Sequence, residues 1–202
     1  MKRTWTVLAL ASAAFALTAI AGVETGKPAP EFTATDINGK TVKLSDYKDK
    51  IVVLESFNMG CPFCANHFNT GAMQELQKDL TAKGVVWLMV NSVNPKHPNY
   101  RTPEQARADW TKLKINATAQ LQDSDGKVGH LYGMQTTPHM FVIDKSGVLA
   151  YQGAIDDQRD DPDHDPRKAR NYVREAVGKL LAGEKVEVAE TRPYGCSVKY
   201  AN

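Results

Sequence analysis

The chain is poor in cysteine, in surplus charge and in internal repetition, and each shortage excludes something. Three cysteines in 202 residues (Cys61, Cys64 and Cys196) are too few for a disulfide-stapled mini-protein, and their odd number leaves one thiol over or able to exchange with the other two. No second C-x-x-C and no H-x-x-H accompanies the pair at 61 and 64, so a closed four-ligand zinc site lacks ligands. Lys and Arg number 25 against 23 Asp and Glu. Without Lys2 and Arg3 the two signs balance, which gives no reason to expect nucleic acid or anionic lipid as a partner. No segment repeats and none is of low complexity, so solenoids and linker arrays are set aside.

What is present begins with Lys2 and Arg3 followed by the uncharged run Thr4 to Ala21. Positive start, short apolar stretch and small residues at Ala19-Ile20-Ala21 have the order of a secretory signal peptide, with cleavage expected near Ala21. A retained anchor is the alternative; the shortness of the run and its richness in Ala and Thr favour cleavage. No Cys lies near the cleavage point, which speaks against a lipid anchor. The expected mature chain carries all three cysteines into a compartment where disulfides persist, periplasmic or secreted, with no stable membrane insertion.

The chain is organised around Met59-Gly60-Cys61-Pro62-Phe63-Cys64. An apolar run, residues 51–57, precedes it, and Cys64, Phe68, Ala72, Leu76 and Leu80 recur every fourth residue after it. This predicts a buried strand, a short turn and one helix to about Lys83, ended by Gly84. A Cys in the first helical turn meets unpaired backbone N–H groups and the positive end of the helix dipole, both favouring the nucleophilic thiolate. The second Cys, one turn on, is placed to attack a mixed disulfide formed by the first. A redox dithiol is the leading reading; a static disulfide and a zinc half-site are the alternatives.

Elsewhere, residues 33–37 and 40–44 around Asn38-Gly39 predict a hairpin, and residues 85–90 a second buried strand reached by a right-handed crossover. Residues 92–101 read as a surface loop. Thr102-Pro103-Glu104-Gln105 reads as a capping box opening a helix to about Lys114. A short strand at 119–121, a turn at 123–126 and a short helix ended by Gly133 follow. Residues 140–151 predict another hairpin, residues 168–181 an amphipathic helix, and residues 184–202 a tail of little periodicity. The order implies an α/β domain with a mixed central sheet over residues 22–183, and a tail carrying Cys196.

Strand, C-x-x-C, helix, and Thr136-Thr137-Pro138 leading into a late hairpin together resemble the thioredoxin fold over roughly residues 26–182. The N-terminal hairpin and the central insert at 92–118 resemble its redoxin branch, the exported TlpA/ResA-like proteins and the peroxiredoxins. The tail Arg192 to Tyr200 resembles that of exported redoxin-domain proteins that often keep the tail Cys while lacking the second active-site Cys. The resemblance implies that Cys61 attacks and Cys64 resolves, with no cofactor beyond the redox-active disulfide. It implies a cis-proline at Pro138, with Thr137 presenting its backbone to an extended substrate beside Pro62 and Phe63. It implies protein thiols or disulfides as partners, and a membrane thiol reductase as electron donor if the protein works as a reductant.

Glu55, six residues before Cys61, matches the buried acid of thioredoxins and is available to accept the Cys64 proton; a solvent-facing strand end is the alternative. His67 reads as a helix-surface histidine, with a copper or zinc carrier site built from Cys61, Cys64 and His67 as the sharper alternative. The stretch 156–165 lacks the glycine and spacing of a calcium loop and reads as a solvated acidic loop. Cys196 is either a second resolving thiol or an exposed bystander. A thiol peroxidase resolved by Cys64 or Cys196 is the rival enzyme, although Leu54 and Asn58 stand where peroxiredoxins carry Pro and Thr or Ser.

Overall fold

A computed structural model describes residues 22–201 apart from residues 160 and 162. The expected signal peptide, residues 1–21, lies outside the described residues. No helix among them is long and apolar enough to cross a membrane.

Two strands, β1 (Thr33–Asp36) and β2 (Thr41–Lys43), pair around Asn38-Gly39. The turn holds because Asp36 Oδ1 accepts from both the Asn38 and Lys40 amides at 2.8 Å, and Gly39 takes φ of 81° at no steric cost. The central strands β3 (Val52–Ser56) and β4 (Val86–Asn91) run parallel and are buried along their whole length, as runs of Val, Leu and Met demand when both sheet faces are covered. With β1, β2, β5 (Ala119–Gln122), β7 (His139–Ile143) and β8 (Leu149–Gly153) they form a seven-stranded mixed sheet ordered β2-β1-β5-β4-β3-β7-β8. A separate two-stranded ribbon joins β6 (Thr136–Thr137) to β9 (Cys196–Ser197).

Alternation along the strands divides the core. Val52, Leu54, Leu88, Val90 and Phe141 face one layer with Tyr132 of α4 (Lys127–Tyr132). Val53, Trp87, Met89, Met140 and Val142 face the other. That second layer is covered by α1 (Pro62–Asn69), α2 (Ala72–Ala82) and α5 (Tyr172–Leu181). The insert forms α3 (Pro103–Leu113), opened by the expected box: the Thr102 hydroxyl accepts from the Gln105 amide, and Gln105 Oε1 from the Thr102 amide.

Two expectations need correction. The helix after Cys64 is two helices, because Gly71 at φ 81° breaks the ladder between α1 and α2. The last helix starts at Tyr172 instead of near Lys168, because the Asn171 side chain caps it by accepting from the Arg174 amide at 2.8 Å. The tail of little periodicity packs back on the domain. It forms β9, and the Asn94 amide and side chain donate to the Lys199 carbonyl, both at 2.8 Å.

Candidate active site

Strand β3 delivers the chain to a tight connection in which Asn58 Oδ1 accepts from the Gly60 amide, and the Asn58 carbonyl from the Cys61 amide. Cys61 is the N-cap of α1 with extended backbone, and Pro62, whose fixed φ suits a first helical position, starts the helix. Across from it the Thr137–Pro138 peptide is cis, and the Thr137 carbonyl oxygen lies 2.9 Å from Cys61 Sγ. The tail closes the remaining side: β9 pairs antiparallel with β6 so that Cys196 stands opposite Thr137. The register is tight, since a Cβ on Gly195 would come within 2.2 Å of the Thr137 carbonyl oxygen. Tyr194 packs edge-to-face on Phe63 of the dithiol motif at 5.7 Å. Cys61 is fully buried and all three thiols are free.

The electrostatics separate the two cysteines of the motif. Cys61 is pushed down to about 4, foremost by the hydrogen bond from the Cys64 thiol and against the effect of its burial. The Thr137 side chain, the Cys64 amide and the Cys196 thiol act in the same direction as Cys64. Cys64 moves the other way, well above its ordinary value, because it is buried and faces both the Cys61 sulfur and Glu55. Cys196 rises to about 11 through burial and its contact with Cys61. One sulfur is thus a stable nucleophile at neutral pH while its neighbours hold their protons.

Glu55 lies on the face of β3 turned toward α1 and α2, wholly buried. Burial raises it to about 7, opposed by hydrogen bonds from Trp87 Nε1 at 2.7 Å and Gln77 Nε2 at 3.5 Å, both to Oε2. Its other oxygen, Oε1, has no hydrogen-bond partner among the described residues. Trp87 and Gln77 were not singled out in the sequence; only their places in a buried strand and on an apolar helix face hinted at them.

The resemblance-based candidates Cys61, Cys64, Thr137, Pro138, Glu55, Pro62, Phe63 and Cys196 therefore gather around one end of β3. His67 does not join them as a ligand, nor is it a surface histidine. It is buried, with Nε2 3.4 Å from the Tyr194 hydroxyl and 3.6 Å from Asp156 Oδ2, and burial pushes it down to about 4. Among the described residues the donors of Cys61, Cys64 and His67 do not converge; those of His67, Asp156 and His164 do. Asp156 and His164 are themselves buried, so the stretch 156–165 is not simply a solvated acidic loop.

The AhpC/TSA family pattern matches residues 25–152, more than half of the sequence. The chain belongs to the AhpC/TSA family. This AhpC/TSA chain is 29% identical over 135 residues to the thiol-disulfide oxidoreductase ResA of Bacillus thuringiensis, covering 63% of its own length and 68% of the relative's. It is 28% identical over 135 residues to the thiol:disulfide interchange protein DsbE of Yersinia pestis, covering 65% and 64%. A hypothetical protein of Sinorhizobium meliloti shares the fold with a TM-score of 0.77 at 23% identity, over 90% of this chain and 97% of that one. The thioredoxin domain of a thiol-disulfide oxidoreductase from Bacteroides vulgatus superposes with a TM-score of 0.51 at 24% identity, over 65% of this chain and 89% of that domain. The fold of this AhpC/TSA chain is thioredoxin-like.

Proposed function

We propose that this thioredoxin-type oxidoreductase is exported and exchanges disulfides with protein thiols through Cys61 and Cys64. The observation that carries the reading is geometric: Cys61 caps the head of α1 against the cis Thr137–Pro138 peptide, with Cys64 buried one turn on, and the opposed displacement of the two thiols agrees with it. The Cys61 thiolate attacks one sulfur of a substrate disulfide, forming the Cys61–substrate bond and expelling the other substrate sulfur as thiolate. Cys64 then gives its proton to Glu55 and attacks Cys61 Sγ, forming the Cys61–Cys64 bond and releasing the second substrate sulfur. A reduced thiol partner, for which a membrane thiol reductase is the natural class, restores the dithiol. Export is supported by Lys2-Arg3 and the uncharged run behind them.

The relatives named ResA and DsbE support interchange, and Leu54 and Asn58 at the peroxidase-motif positions weigh against peroxide chemistry. One observation favours a second resolving route: the Cys196 thiol contacts Cys61 from the strand opposite Thr137. Cys64→Ser separates the two. Turnover of a disulfide-bonded protein substrate is expected to fall by on the order of 100-fold or more, with substrate trapped on Cys61. Undiminished turnover, with a Cys61–Cys196 bond found by mass spectrometric mapping, would transfer resolution to the tail.

A further inference from the structure

Along α1, one turn beyond Cys64, three buried side chains from distant parts of the chain converge. His67 comes from α1, Asp156 from just beyond β8, and His164 from the loop that follows. His164 Nε2 is 3.0 Å and His67 Nε2 3.6 Å from the same oxygen, Asp156 Oδ2. His164 Nδ1 lies 2.5 Å from the Asp161 carbonyl oxygen, which can only accept, so Nδ1 carries the proton there. In the neutral ring Nε2 is then a bare lone pair facing a carboxylate oxygen. Two acceptors held together away from water require a positive charge between them.

We propose that His67, Asp156 and His164 bind a divalent transition-metal ion of the zinc type. An ion about 2.0–2.1 Å from each tetrahedral donor needs donors roughly 3.3 Å apart; the two separations from Asp156 Oδ2 bracket that value, and all three donor atoms lie within 4.8 Å of one another. Two of the ligands are already oriented by their other atoms. Asp156 Oδ1 accepts from the Tyr194 hydroxyl at 2.6 Å and from the Gln158 amide at 3.0 Å, while the Asp161 carbonyl fixes the His164 ring. Two imidazoles and one carboxylate suit zinc; calcium and magnesium call for more oxygens, and cuprous copper for sulfur. A cleft of about 300 Å³ lined by His67, Ile155 and Pro166 reaches the cluster from outside at the His67 side. The ion would tie the loop to α1, and through Tyr194 to the tail that covers Cys61.

Zinc binding to the purified protein, stripped with a chelator and reduced, tests this. One ion per chain is expected, and free zinc at about 100 times Kd should raise Tm by roughly 8 °C. The stoichiometry should survive in a Cys61→Ser/Cys64→Ser/Cys196→Ser protein, and His164→Gln should weaken affinity by on the order of 100-fold. Asp156→Asn serves if His164→Gln fails to fold. Cobalt in place of zinc should give visible d–d absorption without a sulfur-to-cobalt charge-transfer band. No uptake at millimolar zinc would reduce the cluster to an ion pair of imidazolium and carboxylate and overturn the site. Uptake lost with the cysteines, or a sulfur band with cobalt, would overturn it by moving the ion to the thiols.

Discussion

At the scale of single residues, the site rests on two thiols displaced in opposite directions, Cys61 down and Cys64 up. The Cys61 sulfur is lowered foremost by the hydrogen bond from the Cys64 thiol, whereas burial raises Glu55 to about 7, so that near neutral pH it is partly ionised and can take the Cys64 proton. Iodoacetamide labelling of the reduced protein should therefore titrate at Cys61 with a midpoint near 4, while Cys64 stays unlabelled beyond pH 9. A Cys61 midpoint near 8 would remove the electrostatic argument. Glu55 has a sign of its own. Its folded pKa is raised, so its contribution to stability is fully present below the unfolded value of about 4.5 and is lost as pH climbs through about 7. Glu55→Gln escapes that loss. Its stability relative to the parent should rise by on the order of 3 kcal/mol between pH 4.5 and pH 8, while the resolving step slows by on the order of 100-fold. Thermal melts across that range, paired with single-turnover release of a trapped substrate, read both effects; a pH-independent difference in Tm would count against a raised Glu55.

At the scale of elements, local chemistry and tertiary packing each account for part of what was legible. The Asn38-Gly39 turn and the box at Thr102 and Gln105 declare themselves because neighbours within a few residues satisfy their backbone groups; the apolar runs of β3 and β4 declare themselves by composition, although the strands that pair with them lie far along the chain. Cys61 at the head of a helix was equally legible, since dithiol, Pro62 and the apolar repeat all lie within one short stretch. The break between α1 and α2 was not, because the period-four pattern from Cys64 to Leu80 runs through Gly71 unaltered. Only the backbone angle shows that Phe68 and Met73 pack from separate helices. His67 was hidden for the opposite reason: its neighbours Asp156, His164 and Tyr194 are 89, 97 and 127 positions away, and no local pattern announces them. Gly71→Ala is the matching test. A Cβ there meets nothing within 4 Å, so the substitution should cost only the left-handed backbone conformation, on the order of 1–2 kcal/mol. Urea unfolding reads it; an unchanged midpoint would mean that the bend does not depend on glycine.

At the scale of the whole molecule, the tail turns a thioredoxin-like domain into a closed one. In the thioredoxin arrangement Thr137 faces an extended substrate; here β9 takes that edge, with Cys196 opposite Thr137 and the Val198 amide donating to the Gln135 carbonyl. The covering is fastened at several points. Tyr194 binds Asp156 and packs on Phe63, the Tyr200 hydroxyl donates to the Met134 carbonyl at 2.9 Å, and its ring stacks on His130 at 3.9 Å. Cys61 is fully buried beneath this covering, so the proposed exchange requires β9 to lift, and the free energy of lifting adds to the barrier for attack. Gly195→Val tests this without removing a thiol. Its Cβ would strike the Thr137 carbonyl, and φ of 121° disfavours any side chain, so β9 should detach while the seven-stranded sheet keeps its fold. Labelling of Cys61 at pH 7 should then accelerate by on the order of 10-fold or more, with little change in far-ultraviolet circular dichroism. Opening by each 1.4 kcal/mol corresponds to one such factor of ten. If Cys61 labels at the parental rate while Cys196 becomes newly reactive, the tail is a neighbour of the active site and not its gate.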